Sequence, residues 1–447
     1  MSNRTIVALA TGKINCAIHI IRVSGDQVYE IVSKICSKKI KKIGYTIERN
    51  TIVENKKIID NVILVKYVTP KSFTGEDLIE INCHGGIFLA NKIISLLIKN
   101  GCSLALCGEF SKIAFLNNKI NINQATAINN LIEANSDKAI LIANNGISEK
   151  TRNILNQIKD EMFMIIGQIE VNIDYPEYDD VPKLTNKEIV DLLKKIQERL
   201  NEIISVSKIG LKYLQGINIC ILGKPNVGKS TLMNLLTNNE RAIVSNIAGT
   251  TRDIIETKIT IDGVNINLFD TAGIRKNPDN TIEEIGIKKA LELLKDIDLI
   301  LLLFDGSSQL DNDDFETINL VKTAKKQYIN IINKADLKTV KNNLENPIYI
   351  SAANKQITNL IEKIKSFLPN LQIDDNSILL QSTHLVSLIE KIVNNIQEII
   401  RFIENKTTID IVMQLFQQTY LDFLKVCSCE EDYDFINELF SKFCLGK

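Results

Sequence analysis

Eight consecutive residues, Gly223-Lys224-Pro225-Asn226-Val227-Gly228-Lys229-Ser230, constrain this chain more than any other stretch. They follow an apolar run from Ile217 to Leu222 and open a helical stretch from Thr231 to Leu236. Strand, glycine-bearing loop and helix in that order make a phosphate cradle. The glycines let the backbone curl until its N–H groups point at phosphate oxygens, and the helix N-terminus adds partial positive charge at the same place. Lys229 has the reach for the β- and γ-phosphates, and the Ser230 hydroxyl suits magnesium. The expected phosphate contacts are therefore Asn226, Val227, Gly228, Lys229, Ser230 and Thr231.

The base is chosen elsewhere. Asn333-Lys334-Ala335-Asp336 follows an apolar run, Tyr328 to Ile332. The Asp336 carboxylate can accept from both guanine N1–H and the exocyclic amine, a donor pair that adenine lacks. Ser351, Ala352 and Ala353 follow the last strand candidate and are expected to support guanine O6 through backbone N–H. Asp270-Thr271-Ala272-Gly273 ends another apolar run, with Asp270 expected near magnesium and the Gly273 N–H near the γ-phosphate. Gly249-Thr250-Thr251-Arg252-Asp253 reads as the first switch, with Thr251 completing the magnesium shell. Such loops order around a γ-phosphate and relax after hydrolysis. Ile274 stands where many small GTPases carry a water-orienting glutamine, and an apolar side chain cannot orient water. Arg252, Arg275, Glu283 and Glu284 are the chemical candidates for the missing function. Asn226 is suited to a monovalent cation standing in for an arginine finger.

Around this unit the pattern changes. Strand candidates at 217–222, 257–261, 264–269, 299–304, 328–332 and 347–350 are mostly separated by helical patterns, which predicts an α/β sheet. Asp262-Gly263 between two apolar runs predicts a hairpin, hence one antiparallel edge. Before it, Ile158, Met162, Ile165 and Ile169 share a helical face, as do Ile189, Leu193, Ile196, Leu200 and Ile203. Thr185 with Glu188 resembles a capping box. The acidic segment Asp174 to Asp180 reads as a solvated linker, with a cation site as the alternative. After the α/β unit, Leu385, Leu388, Ile389, Ile392, Ile396, Ile399 and Ile403 share a face. Residues 1–118 mix strand runs (Thr5–Ala10, Ala17–Val23, Ile58–Val68, Leu78–Cys83) with one clear helix, Ile87–Lys99, and predict an α+β domain. The expected organisation is an N-terminal domain, 1–118; the first part of a helical domain, 119–212; an inserted nucleotide domain, 213–372; and the second helical part, 373–447.

Composition excludes several classes. The net charge of −1 gives no global field for nucleic acid, so an RNA partner must use local patches. The Lys38-Lys39-Ile40-Lys41-Lys42 run reads as a solvated loop, with such a patch as the alternative. Nine cysteines without a CxxC pair argue against a disulfide framework and a zinc site, and for a reducing compartment. No apolar run reaches membrane-span length, and Met1 to Lys13 has too short an apolar core for a secretory signal. A cytoplasmic protein is expected.

Four stretches carry a family resemblance. They are the nucleotide-domain motifs Gly223–Ser230, Ile247–Asp253 and Asp270–Arg275; Ser72–Asp77 with His84-Gly85-Gly86; Gly108-Glu109-Phe110 with Ala114–Asn117; and the tail Phe443-Cys444-Leu445-Gly446-Lys447. Along essentially its whole length the chain resembles the MnmE (TrmE) family of tRNA-modification GTPases. The resemblance implies a multidomain α/β and α protein: an α+β tetrahydrofolate-binding and dimerisation domain, a helical domain from two chain segments, and an inserted Ras-like P-loop GTPase domain. It implies a homodimer that forms a heterotetramer with the flavoprotein MnmG. The pair adds a (carboxymethyl)aminomethyl group to C5 of the wobble uridine of certain tRNAs. GTP, Mg2+, K+ and a 5-formyl or 5,10-methylene tetrahydrofolate derivative are the implied cofactors.

Residue by residue, the resemblance implies folate contacts from Arg22, Glu80, Lys119 and Lys447, which suits carboxylate tails and an amino-pyrimidine edge. It implies potassium ligands Asn226, Ser245, Ile247 and Thr250, magnesium ligands Ser230 and Thr251, and nucleotide contacts that include Asn246, Ala248 and Gly249. Glu283 matches the family's water-orienting glutamate, with Glu284 adjacent, and Cys444 matches a thiol used in the modification chemistry. The other eight cysteines are expected to be structural. Thr11 to Cys16 is a degraded form of the family's glycine-rich loop, and Cys83 replaces a glycine before His84. A ribosome-assembly GTPase switch without modification chemistry is the alternative, as is a folate-binding scaffold. An RNA module with a GXXG loop is not evident in the sequence.

Overall fold

A computed structural model describes residues 4–174, 185–237, 257–270, 294–337, 340, 343–368, 377–405, 407, 409–427, 433–441, 443 and 446. The chain forms two compact units. One comprises Met1–Ile132, Gly146–Ile204 and Leu380–Lys447; the other comprises Glu133–Asn145 and Ser205–Leu379.

The first unit is built on a six-stranded sheet of order β3-β4-β5-β2-β1-β6. Its strands are β1 (Ile6–Leu9), β2 (Ile18–Ser24), β3 (Thr46–Glu54), β4 (Lys57–Tyr67), β5 (Leu78–His84) and β6 (Ser103–Leu104). The sequence reading missed β3, whose residues Thr46 to Glu54 carry three charged side chains and expose Ile47. Its place comes from pairing with β4 along its whole length. Helices α1 (Val28–Ile35) and α2 (Ile87–Lys99) cover one sheet face, burying Val23, Ile21, Leu64 and Ile81 among Val28, Ile31, Ile93 and Leu97. Cys83 belongs to this covered face. Glu80, three residues earlier on the same strand, points to the other face, because side chains alternate. The replacement of glycine at 83 is thus absorbed by the core.

Helices α3 (Glu109–Leu116), α4 (Ile122–Glu133) and α5 (Asp137–Ile147) follow, then the long α6 (Glu149–Asp174) and α7 (Asn186–Gln215). The α6 and α7 stripes read from sequence are all buried: Ile158, Met162, Ile165 and Ile169, then Ile189, Leu193, Ile196, Leu200 and Ile203. The Thr185 box closes as expected. Thr185 N donates to Glu188 Oε2 at 2.8 Å, and Glu188 N donates to Thr185 Oγ1 at 3.3 Å.

The second unit holds another six-stranded sheet, of order β12-β11-β10-β7-β9-β8. Its strands are β7 (Ile217–Leu222), β8 (Thr257–Ile261), β9 (Val264–Asp270), β10 (Leu299–Asp305), β11 (Gln327–Asn333) and β12 (Ile348–Tyr349). Every pairing is parallel except β8 with β9. The Asp262-Gly263 hairpin makes that exception, with φ of 51° and 74° at its two turn residues, as a type I′ turn requires. Helices α8 (Lys229–Thr237), α9 (Asn312–Thr323) and α10 (Thr358–Phe367) flank the sheet. Leu301 and Leu303 pack with Leu232 and Leu360 on one side; Ile300, Leu302 and Phe304 pack with Val321 on the other. Burial on both faces explains why β10 reads as an unbroken apolar run. Each such side chain contributes about 1.5–3 kcal/mol on burial.

The remaining helices, α11 (Thr383–Glu404), α12 (Ile409–Cys427) and α13 (Tyr433–Ser441), return to the first unit. Leu385, Ile389, Ile392, Ile396, Ile399 and Ile403 are buried as the stripe predicts, and Leu388 is half-buried. Helices from both ends of the chain meet here: Lys194 pairs with Glu404 at 3.2 Å, and Gln417 Nε2 donates to Glu170 Oε1 at 2.9 Å. No helix among the described residues is long and apolar enough to cross a membrane.

Candidate functional site

The motifs of the second unit follow the carboxyl ends of neighbouring parallel strands, where α/β sheets bind ligands. The 223–230 loop follows β7, Asp270 ends β9, Asn333 ends β11, and Ser351 lies just beyond β12. Asn333 ties two of these motifs together. Its Nδ2 donates to Val227 O at 2.8 Å, and its Oδ1 accepts from Ala352 N at 3.0 Å. The amide is buried and satisfied at both ends, so it fixes the base-side loops against the phosphate loop. Ala352 N–H, read from sequence as a guanine contact, has this protein partner. Ser351 Oγ donates to Asp336 Oδ1 and so orients the carboxylate that the sequence assigns to base reading.

Two glycines of the loop are obligatory for steric reasons. A Cβ on Gly223 would lie 2.3 Å from Leu303 O, and one on Gly228 would lie 2.3 Å from Asn333 Nδ2. Both have positive φ, 156° and 102°. Asn226 and Lys334 also take left-handed backbones, φ 64° and 63°. Strain of this kind gathers at ligand sites, and after glycine asparagine tolerates it best. Lys229 Nζ donates to Gly223 O at 2.9 Å and Lys224 O at 2.7 Å, lying across the loop from the first turn of α8.

Sequence reading missed what holds the loop's outer side. Lys224 Nζ lies 2.6 Å from Asp311 Oδ2 and 2.8 Å from Asp314 Oδ2. Those carboxylates form the capping box of α9. Their hydrogen bonds raise the Lys224 pKa, and the Lys224 bond holds the Asp311 carboxyl below its ordinary value. Lys334 Nζ bonds Asp305 Oδ2 at 2.6 Å. Burial alone would raise the Asp305 carboxyl, but bonds from Lys334 and Ser307 outweigh it and lower the pKa.

A second candidate site lies on the face of the first sheet opposite α1 and α2. Arg22 and Glu80 are direct cross-strand partners. Arg22 Nε and Nη2 donate to Glu80 Oε1 at 3.0 and 2.7 Å, and Nη1 donates to Gly446 O at 3.1 Å. The guanidinium sits 5.8 Å from the ring centres of both Phe73 and Phe110. Gly446 has φ 90°, and a Cβ there would meet Leu9 O at 2.5 Å. The tail is thus seated against β1 beside Arg22. Upstream, Phe440 packs on Phe115 and Phe443 at 5.9 and 5.0 Å between ring centres. The Ser72–Asp77 motif is pinned by Asn117 Nδ2 donating to Thr74 O at 2.8 Å. The Lys119 stem lies over Gly75, and its Nζ donates to Pro70 O at 3.0 Å. Stretches that the sequence only juxtaposed as motifs share one neighbourhood here.

Two family models match this chain. One, described as the GTP-binding protein TrmE N-terminus, matches residues 5–119; the other, the MnmE helical domain, matches residues 122–444. The chain belongs to the MnmE family of tRNA modification GTPases. The "tRNA modification GTPase MnmE" of Malacoplasma penetrans is 44% identical over 450 residues, covering 100% of both chains. Those of Ureaplasma parvum and Mycoplasmoides gallisepticum are each 42% identical, covering 99% of this chain and 100% and 98% of theirs.

Several residues matched to MnmE lie outside the described residues: Ser245, Asn246, Ile247, Ala248, Gly249, Thr250, Thr251, Thr271, Ala272, Gly273, Glu283, Cys444 and Lys447, with Arg252, Arg275 and Glu284. Asp270 is described as the end of β9 only. Of the cysteines expected to be structural, Cys36, Cys83, Cys102 and Cys220 are buried, whereas Cys16 and Cys107 are exposed. Those two occupy loops rather than element interiors, and Cys16 Sγ donates to Ile18 O at 3.0 Å. Burial pushes the Cys36 and Cys102 thiols up to about 12.

Proposed function

We propose that this chain is a potassium-activated GTP hydrolase that works with the flavoprotein MnmG. Together they add a (carboxymethyl)aminomethyl group to C5 of the wobble uridine of certain tRNAs. The observation that carries this is relatedness along the entire length to proteins named tRNA modification GTPase. The Asn333 bridge supports it, because guanine reading and phosphate binding share one rigid frame. In this reading, Lys229 and the 226–231 backbone hold the phosphates, Asp336 selects guanine, and Ser230, Thr251 and Asp270 attend magnesium. Asn226, Ser245, Ile247 and Thr250 hold potassium. The left-handed backbone at Asn226 leaves its side chain exposed at the rim of the loop, which suits a cation contact. Glu283 orients water in place of the glutamine displaced by Ile274.

The domain scheme follows: residues 1–118 bind folate and dimerise, 119–212 and 373–447 form the helical domain, and 213–372 hydrolyse GTP. Arg22 and Lys119 supply cations and Glu80 a carboxylate, chemistry that suits a folate's glutamate tail and amino-pyrimidine edge, with Lys447 following Gly446 in the chain. The bound folate supplies the transferred carbon; Arg22, Glu80 and Lys119 bind and orient it, and Cys444 serves the modification. Ile18, Ile47 and Ile63, exposed on one face of the sheet, support self-association through the N-terminal domain. In this reading the protein meets its tRNA in the cytoplasm.

Mass analysis of wobble nucleosides from cells lacking this chain tests the assignment. The C5-aminomethyl species should disappear, and its persistence would reject modification chemistry. GTP turnover of the purified protein should be at least about tenfold faster in potassium than in sodium, the scale of transition-state charge stabilisation by one added cation. Equal rates would remove the Asn226 role.

A further inference from the structure

The basic run at 38–42 has no part in the GTPase or folate readings. A solvated lysine loop is normally held only at its ends, but this one is fixed along its length. Lys38 N donates to Asn50 Oδ1 at 3.3 Å, and Asn50 Nδ2 donates back to Lys38 O at 3.0 Å. Asn50 is itself buried, 3% exposed. Ile40 sits in the sheet core, and its N–H donates to Ser33 Oγ at 3.1 Å. Lys41 O accepts from the buried Lys66 Nζ at 3.4 Å.

The acidic groups these anchors reach are already paired. Glu48 bonds Lys66 at 2.7 Å, and Asp77 bonds Lys42 at 2.5 Å. Lys38, Lys39 and Lys41 are exposed, and among the described residues none has an ion-pair partner. Beside them Tyr45 exposes its ring, edge-on to Tyr67 at 6.2 Å and held by a bond from its hydroxyl to Lys71 O. Because the backbone of this loop is already ordered, meeting a polyanion costs side-chain freedom but little main-chain freedom, and an exposed aromatic ring in the same segment offers a stacking platform for an unpaired base.

We propose that the Lys38–Lys41 loop is a docking site for the phosphate backbone of tRNA, with Tyr45 placed to stack a base beside it. This rests on tRNA being the substrate. An anionic lipid surface is the competing occupant, since Ile43 is also exposed; the clamped backbone and the paired acids favour a rigid polyanion of defined shape.

The test is the binding of unmodified tRNA to the full chain by fluorescence anisotropy across a salt series. Replacing Lys38, Lys39 and Lys41 together by Glu should lower affinity at least tenfold. It should also flatten the log–log salt slope by about 2–3, at 0.7–0.9 per lost phosphate contact. Lys39→Gln alone should flatten it by just under about 1, and the triple change to Arg should restore parent binding. Thermal melting identical to the parent shows that the reversed variant folds. Parent and variant binding within twofold, at the same slope, overturns the proposal. So does loss of binding to phosphatidylserine vesicles with tRNA binding intact. A parent chain with no affinity for tRNA overturns the substrate reading as well.

Discussion

Gly228→Ala is expected to lower guanine-nucleotide affinity on the order of 100-fold. The residue has φ 102°, and the new methyl would sit 2.3 Å from Asn333 Nδ2. Forcing an alanine into the left-handed region costs about 1–2 kcal/mol. Pushing the Asn333 amide off Val227 O leaves a buried donor or acceptor unmet, about 1–3 kcal/mol more. The two losses act together, because the loop cannot curl and the base-side frame loses its anchor. Titration with a fluorescent guanine nucleotide measures the effect. A change under threefold would show that the Val227–Asn333 bridge does not hold the phosphate loop in shape.

Asp336→Asn should leave the fold intact and change which base is bound. The carboxylate is oriented by Ser351 Oγ, and an asparagine Oδ1 retains that bond. What is lost is one of two acceptors facing the guanine donors, together with the charge that strengthens both bonds. Hydrogen bonds to charged groups contribute about 1.5–3 kcal/mol, so GTP affinity should fall about 10- to 100-fold. The new amide N–H matches a carbonyl at the purine 2-position, so xanthosine triphosphate should gain what GTP loses. Competition between the two nucleotides reads the ratio directly. An unchanged preference for GTP would mean that Asp336 does not read the base.

The central strands of the nucleotide unit were legible because they are buried on both faces. Ile217–Leu222 and Leu299–Asp305 leave almost no polar interruption for a reader to misplace. The Asp262-Gly263 turn was legible because only such residues accept two positive φ values in succession. Strand β3 was not, since its alternation is diluted by Glu48, Arg49 and Glu54 and its partner strand supplies its hydrogen bonds. Helix α1 was missed for a related reason: eight residues are too few to show a period, and its burial depends on the sheet beneath it.

Local chain chemistry therefore determined the glycine-bearing loop between β7 and α8, the Asn333–Asp336 tetrad after β11 and the amphipathic faces of the long helices. Each depends on backbone preferences and periodicity within a dozen residues. Tertiary structure alone decided that Asn333 joins Val227 to Ala352, that two α9 carboxylates hold Lys224, and that Arg22 meets both Glu80 and the chain's last glycine. Those contacts join residues 58 and 424 positions apart in the Arg22 case. They depend on strand register and on which faces pack together, and neither is written in any single segment.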